Sequence, residues 1–361
     1  GINMGVIASL EKSDAVLLKT KNGKRFFDTY YQALNQKIVD WSLFGKLFEE
    51  DIVEITYRQS VWDKVASQAE QYNNPGKFTA FIGYEWTSSG TVPGGNLHRV
   101  VIFKDGADKA TKVLPFSRFD SQNPEDLWHY LEEYQQKVGG EVFAIPHNGN
   151  LSIGEEFSLV KFDGLPISKD YAETRSRWEP LYEVTQIKGD SETHPVLSPT
   201  DEFADYETWN GLPELWLSRP DNWKKWNREE QQKVKYEYAR SALKLGLQVQ
   251  QDLGVNPFKF GLIGSTDAHT SLATADENNF WGKFAKHAPN PDRMQDPRYK
   301  WKMNAAGYAA VWATDNTREA LFAAMKRKEV YASTGPRMTV RFFGGWSYEK
   351  DDAIKPDLAG I

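Results

Sequence analysis

Strand-like and helix-like segments alternate along this chain of 361 residues. Apolar runs typical of buried strands lie at 78–84, 98–103, 141–145, 181–187, 260–263 and 330–333. Helical periodicity lies between them, at 61–72, 124–138 with Asn123 as cap, 228–248, and 317–328 with Asn316 as cap. This alternation predicts an α/β fold with a parallel sheet whose strands are joined by helical crossovers. The sheet is either open or closed into a barrel.

The composition excludes several classes of protein. A formal net charge of −6 argues against a nucleic-acid partner, which favours a basic surface. The absence of cysteine rules out disulfides, thiolate metal sites and cysteine nucleophiles. No apolar run approaches the roughly 18 residues of a transmembrane helix, so we expect no membrane insertion. No signal peptide is visible, and the compartment, periplasmic or cytoplasmic, stays open, as does the oligomeric state.

The segment after the strand at 260–263 contains an aspartate and a histidine two residues apart, Asp267 and His269. Small Ala268 between them keeps the turn tight, so a carboxylate oxygen and an imidazole nitrogen can reach one metal ion. The alternative is an ordinary turn, in which Asp267 caps a helix and His269 is a surface residue. The hexapeptide alone does not decide between these interpretations.

Other polar residues lie at strand ends as well. Glu85 and His147 follow strand-like runs, and His98 opens one. Ligands collect at the carboxyl ends of strands in parallel α/β proteins, so these side chains are expected to meet Asp267 and His269. Each of them alone could be a turn or strand residue, but together they favour a metal site. By contrast, His129 in an amphipathic helix and His287 in a polar loop are interpreted as structural.

Six segments of the chain resemble, in order, later motifs of the PHP (polymerase and histidinol phosphatase) superfamily, and most closely its bacterial DUF 3604 branch. They are FIGYEW at 81–86, NLHR at 96–99, IPHN at 145–148, QIKGDSE at 186–192, GSTDAH at 264–269 and EVYASTGPR at 329–337. The resemblance implies a distorted (β/α)7 TIM-like barrel with two or three divalent metal ions (Mn, Zn or Fe) at its strand ends. It further implies that Glu85 bridges two metals, that His98 and His147 each ligate one, and that Asp267 and His269 complete the set.

The resemblance also bears on domain organisation. Superfamily members have an early His-x-His and an Asp-His pair that this sequence lacks, so we expect the first strands and their ligands to precede Gly1. We expect one catalytic domain over 1–345, with surface excursions near 200–227 and 289–302. Residues 346–361 are expected to begin a C-terminal extension.

Clustered divalent metals favour hydrolysis of charged esters, because they lower the pKa of bound water and neutralise charge on a phosphoryl or sulfuryl oxygen. The expected function is therefore metal-dependent hydrolysis of a small anionic phosphate or sulfate ester. Lys188 and Arg337 follow strand-like runs and could bind the anionic oxygens, although they could equally be solvated cations. His194, in a polar loop, is a candidate general acid.

Two alternatives to an ester hydrolase of this type stay open. One is an amidohydrolase-like metal enzyme, which usually has a metal-bridging lysine and a lone aspartate after the last strand. Here Asp267 is paired with His269, which favours the PHP interpretation. The other is a non-catalytic binding protein with a relic metal site. Retained metal without hydrolysis of any ester would support the relic.

Overall fold

The structure is a computed structural model that describes residues 55–355, apart from 93, 207–226, 270–271, 275, 280 and 284–306, together with 18, 24, 27 and 28. The expected excursion at 289–302, most of the one at 200–227, and His287 lie outside the described residues. None of the helices in the described part is long and apolar enough to span a membrane.

The first half of the described chain forms an antiparallel sheet with helices against it. Its elements are α1 (Ile55–Tyr72), β1 (Ile82–Trp86), β2 (His98–Phe103), α2 (Ala107–Ala110), α3 (Pro124–Val138) and β3 (Val142–His147). The strands pair in the order β1-β2-β3, both pairs antiparallel. Alternation had predicted parallel pairing, and for these strands that prediction is wrong. The described residues of the β1–β2 link contain no helix, so β2 returns directly beside β1.

An aromatic-rich core packs α1 and α3 against this sheet. Its aromatic members include Trp62 of α1, Tyr84 of β1, Phe103 of β2, and Trp128 and Tyr134 of α3. The rings of Phe103 and Tyr134 meet edge to face at 4.9 Å between centroids. The α3 helix begins as predicted, because the Asn123 side chain accepts a hydrogen bond from the first turn.

The second half supplies two further small sheets. Its elements are α4 (Lys169–Trp178), β4 (Leu181–Gln186), β5 (Gly189–Asp190), α5 (Arg228–Lys233), α6 (Ala239–Leu253), β6 (Gly261–Gly264), β7 (Tyr308–Val311), α7 (Arg318–Lys326) and β8 (Val330–Ser333). Here β4 pairs with β6 in parallel and with β5 antiparallel, while β7 and β8 form an antiparallel pair. The chain between the parallel strands β4 and β6 contains the helices α5 and α6, so this connection is a helical crossover of the predicted kind. Closure of the strands into a barrel and the domain limits stay predictions.

Two local predictions about helices are wrong. The helix expected at 228–248 is broken between α5 and α6, where Tyr238 has extended backbone angles of φ −121° and ψ 141°. Tertiary hydrogen bonds explain the break, because the amides of Ala239 and Arg240 donate to the carbonyls of residues 191 and 192. The cap of α7 is Thr317 rather than Asn316. The Asn316 side chain instead accepts a hydrogen bond from the Thr79 hydroxyl at 2.7 Å.

A buried network of charges lies beneath the start of β2. The Arg99 guanidinium contacts Glu179 and Glu156, each at 3.0 Å. Arg175 of α4 contacts Glu156 at 2.7 Å and Glu179 at 3.1 Å. The Trp128 indole donates to Glu179 at 2.9 Å. Two cations therefore balance two anions, and all four charged side chains are almost fully buried. Since Arg99 directly follows His98, this network anchors the edge at which the predicted ligands lie.

Candidate metal centre

Three of the five predicted metal ligands lie together at one edge of the first sheet. Glu85 is near the end of β1, His98 begins β2 and His147 ends β3. The antiparallel register places His98 opposite His147, so the start of β2 adjoins the ends of its two neighbours. Glu85 Oε1 lies 3.0 Å from His98 Nδ1 and 2.9 Å from His147 Nε2. Antiparallel pairing is thus the reason that a residue at a strand's beginning joins this cluster.

The cluster fits a divalent metal ion by the chemistry of its donor atoms. One ligand atom from each of the three side chains lies within 4.8 Å of the other two. Two imidazole nitrogens and one carboxylate oxygen suit Zn, Mn or Fe. His147 is buried, whereas Glu85 and His98 are partly exposed. Three protein ligands with one accessible side leave coordination positions for water or substrate.

The protonation of these groups also suits a cation. Burial would raise the pKa of Glu85, but hydrogen bonds from His147 and His98 outweigh burial and hold it well below its usual range. Burial lowers the pKa of His98, so its imidazole is neutral, as a metal ligand must be. For His147, burial is outweighed by the Glu85 carboxylate, which raises the pKa. The ionised Glu85 carboxylate thus places a negative charge at the centre of the cluster, as a bound cation requires.

The other two predicted ligands form a second group, at the adjoining edge of the parallel β4–β6 pair. Asp267, three residues beyond β6, accepts from Lys188 Nζ at 2.5 Å and also contacts Lys283 Nζ. The backbone amide of His269 donates to the Lys283 carbonyl at 2.8 Å. Asp267 has a left-handed φ of 49°, a strained conformation that is found disproportionately at functional sites. The Asp267 carboxylate, which was predicted to bind metal, therefore forms ion pairs with Lys188 and Lys283 in this structure.

Electrostatics link the two groups. Burial would raise the pKa of Asp267, but Lys188 and Lys283 outweigh it and keep the carboxyl ionised, while Glu85 acts in the opposite direction. A direct hydrogen bond also joins the edges, because Lys188 donates to Asn148, the residue after His147, at 3.3 Å.

Two buried ionisable residues of this region were missed from the sequence. Lys283 is 3 % exposed and lies in a polar loop with no strand-like run before it. Burial and the neighbouring Lys188 lower its pKa to about 8. Glu183 lies inside β4, where burial raises its pKa, and it accepts from Ser265 and Gln186. A glutamate in the apolar run Leu-Tyr-Glu-Val was the available signal for this second residue.

The three predicted catalytic residues lie in different surroundings. Lys188, in the turn between β4 and β5, is buried beside Asp267. His194 is fully buried, its Nδ1 accepts from the Val196 amide at 3.2 Å, and its ring packs against Tyr238. Arg337 is exposed, with its guanidinium 5.1 Å from the centroid of the Tyr308 ring. Only Lys188 has a described contact with the predicted metal ligands, and catalytic roles for all three stay predictions.

His129, interpreted as structural, has an exposed side chain on α3 and lies 3.5 Å from Glu133. Within the described part of the chain, His129 makes no contact with a predicted metal ligand. This position makes it a suitable control for any test of the cluster.

The described residues form a protein of mixed helices and small sheets, with a histidine–carboxylate cluster at the edge of an antiparallel sheet. Residues 4–361 match the family described as "Protein of unknown function (DUF3604)", and the chain belongs to that family. No curated protein and no solved structure matches the chain. The family description names no activity, so any assignment of function depends on the residues of the site.

Proposed function

We propose that this protein is a metal-dependent hydrolase of phosphate or sulfate esters, with the PHP type of barrel that the sequence motifs resemble. The principal support is the convergence of Glu85, His98 and His147, with two imidazole nitrogens around one carboxylate oxygen. A donor set of this kind, partly exposed at a sheet edge, suits a catalytic metal better than a closed structural one.

Each residue of the cluster has a definite part in this proposal. Glu85, His98 and His147 would hold a divalent ion, and Asp267 and His269 would add ligands from the adjoining edge. When bound, such an ion supplies Lewis acidity toward water and toward the ester oxygens. The pKa values of the Glu85 and Asp267 carboxyls are held below their usual range, so both side chains are ionised, as metal ligands must be.

The lysines support an anionic substrate. Lys188 and Lys283 are both almost fully buried and both contact one carboxylate, that of Asp267. If Asp267 turned toward a metal ion, both ammonium groups would be left facing the site. Positioned buried cations stabilise the negative charge of a phosphoryl or sulfuryl group far more than solvated ones do.

Metal removal and return test the proposal on the full-length protein. The protein would be stripped with a chelator and reloaded separately with Mn²⁺, Zn²⁺ or Fe²⁺, and hydrolysis of aryl phosphate and aryl sulfate esters would be measured. We expect the stripped protein to be inactive and at least one metal to restore turnover. Stoichiometric metal with no hydrolysis of any ester would contradict an enzyme and favour a binding protein with a relic site.

Replacement of Lys188 by methionine tests the role of the buried cation. We expect kcat/KM to fall by roughly 30- to 1,000-fold, because a positioned charge-stabilising donor contributes about 2–4 kcal/mol to the transition state. Metal content by elemental analysis should stay the same, since an ammonium group does not ligate a cation. A rate within about twofold of the parent would refute the role.

Arg337→Met makes the matched comparison, since sequence reasoning gave both cations the same role. A loss similar to that of Lys188→Met would place Arg337 at the substrate as well. A change within about twofold would identify Arg337 as an ordinary surface cation, because surface substitutions usually have small effects.

A further inference from the structure

Asn148 is a fully buried asparagine between the two groups of the site. It follows His147 directly and has a left-handed backbone, with φ 62° and ψ 34°. Asparagine is one of the few residues other than glycine that visit this conformation routinely. Its side chain does not cap the 3₁₀ turn that follows, so local structure does not account for the amide.

The orientation of this amide is determined by Lys188. The Lys188 ammonium lies 3.3 Å from Asn148 Oδ1, and an ammonium group can only donate, so the oxygen end of the amide must face the lysine. The amide nitrogen is therefore directed elsewhere. Among the described residues, Asn148 Nδ2 has no hydrogen-bond partner although it is buried.

Asn150, two residues further on, shows the usual arrangement. Its Nδ2 donates to the Lys188 carbonyl at 3.2 Å, and its Oδ1 accepts from the Ser191 hydroxyl at 2.8 Å. Both ends of that buried amide are thus used within the protein. An unsatisfied buried donor such as Asn148 Nδ2 is rare in native proteins and indicates a partner that the described part of the chain does not provide.

The surroundings specify the chemistry of that partner. It must accept a hydrogen bond, and it must lie beside a buried ammonium group and next to the His147 ligand. We propose that Asn148 is a substrate-binding residue whose Nδ2 donates to a non-bridging oxygen of the tetrahedral phosphate or sulfate group, beside Lys188. This inference rests on the proposed function and deepens it, because it assigns the oxyanion subsite of the same centre.

Binding of inorganic phosphate and of inorganic sulfate to the metal-loaded, full-length protein tests the subsite without relying on turnover. Asn148→Asp is the sharpest variant. Aspartate has nearly the same size, tolerates the left-handed backbone and keeps an oxygen toward Lys188, but it replaces the N–H donors by an acceptor. By titration calorimetry we expect affinity for both anions to fall by about 10- to 100-fold, the loss of one hydrogen bond to a charged group. Metal content should not change.

Asn148→Gly keeps the test decisive if the aspartate variant folds poorly. Glycine accepts the left-handed backbone and removes the amide without adding charge, so we expect anion affinity to fall by about tenfold. Asn123→Asp makes the same chemical change at the cap of α3, where aspartate is also a good cap, and anion affinity should stay within about twofold.

The outcomes separate this inference from the proposed function. Anion affinity within about twofold of the parent in both Asn148 variants would overturn the subsite even if the protein hydrolyses esters. Failure of the parent protein to bind either anion would overturn it as well. Conversely, anion binding that depends on Asn148 in a protein without ester hydrolysis would uphold the subsite and count against the enzyme.

Discussion

Replacing Glu85 by glutamine should remove most of the bound metal and lower ester hydrolysis by about a thousandfold or more. Glu85 Oε1 is the atom that both imidazoles face, at 3.0 and 2.9 Å, so it lies at the centre of the donor set. A neutral amide oxygen is a much weaker ligand than an ionised carboxylate. The electrostatic contribution of a catalytic metal is several kcal/mol, and about 4 kcal/mol corresponds to a thousandfold in rate.

Elemental analysis and kcat/KM on the same preparation measure both effects. Glu133→Gln is the matched control, because it makes the same change at an exposed glutamate of α3 that pairs with Lys137 and His129. That variant should retain parent values of metal content and rate. A Glu85→Gln protein with full metal content would refute the assignment of the cluster as a metal centre.

Replacing Arg99 by methionine should lower the free energy of unfolding by about 3–5 kcal/mol. Arg99 contacts the Glu156 and Glu179 carboxylates at 3.0 Å each, and both carboxylates are almost fully buried. Without Arg99, only Arg175 would balance the two negative charges. An uncompensated buried charge costs far more than the net gain from the original pair, which is why breaking such a network is so destabilising.

Denaturant unfolding, with the slope of the transition checked for each variant, measures this difference. Arg327→Met is the control, because Arg327 pairs with Glu329 at 2.7 Å on the surface, where both side chains are about half exposed. That pair should contribute less than about 1 kcal/mol. Equal, small losses in both variants would show that the buried network adds little to stability.

Much of the local structure could be predicted from the sequence, because strand periodicity, helix periodicity and caps are properties of neighbouring residues. The strand at 330–333 and the start of α3 after Asn123 agree with the structure. Prediction of the single helix at 228–248 failed where hydrogen bonds from distant segments replaced those of the helix. Contacts between segments far apart in sequence leave no local signal of this kind.

The sequence by itself determined the membership of the family and the identity of Glu85, His98 and His147 as a set of metal-binding residue types. Only the tertiary structure decided that these three converge, because antiparallel pairing brings the beginning of β2 to the same edge as the ends of β1 and β3. It likewise decided that Asp267 is bound by Lys188 and Lys283, and that the buried Asn148 amide nitrogen has no hydrogen-bond partner among the described residues. Strand direction and the burial of a polar group depend on long-range packing, which residue order does not specify locally.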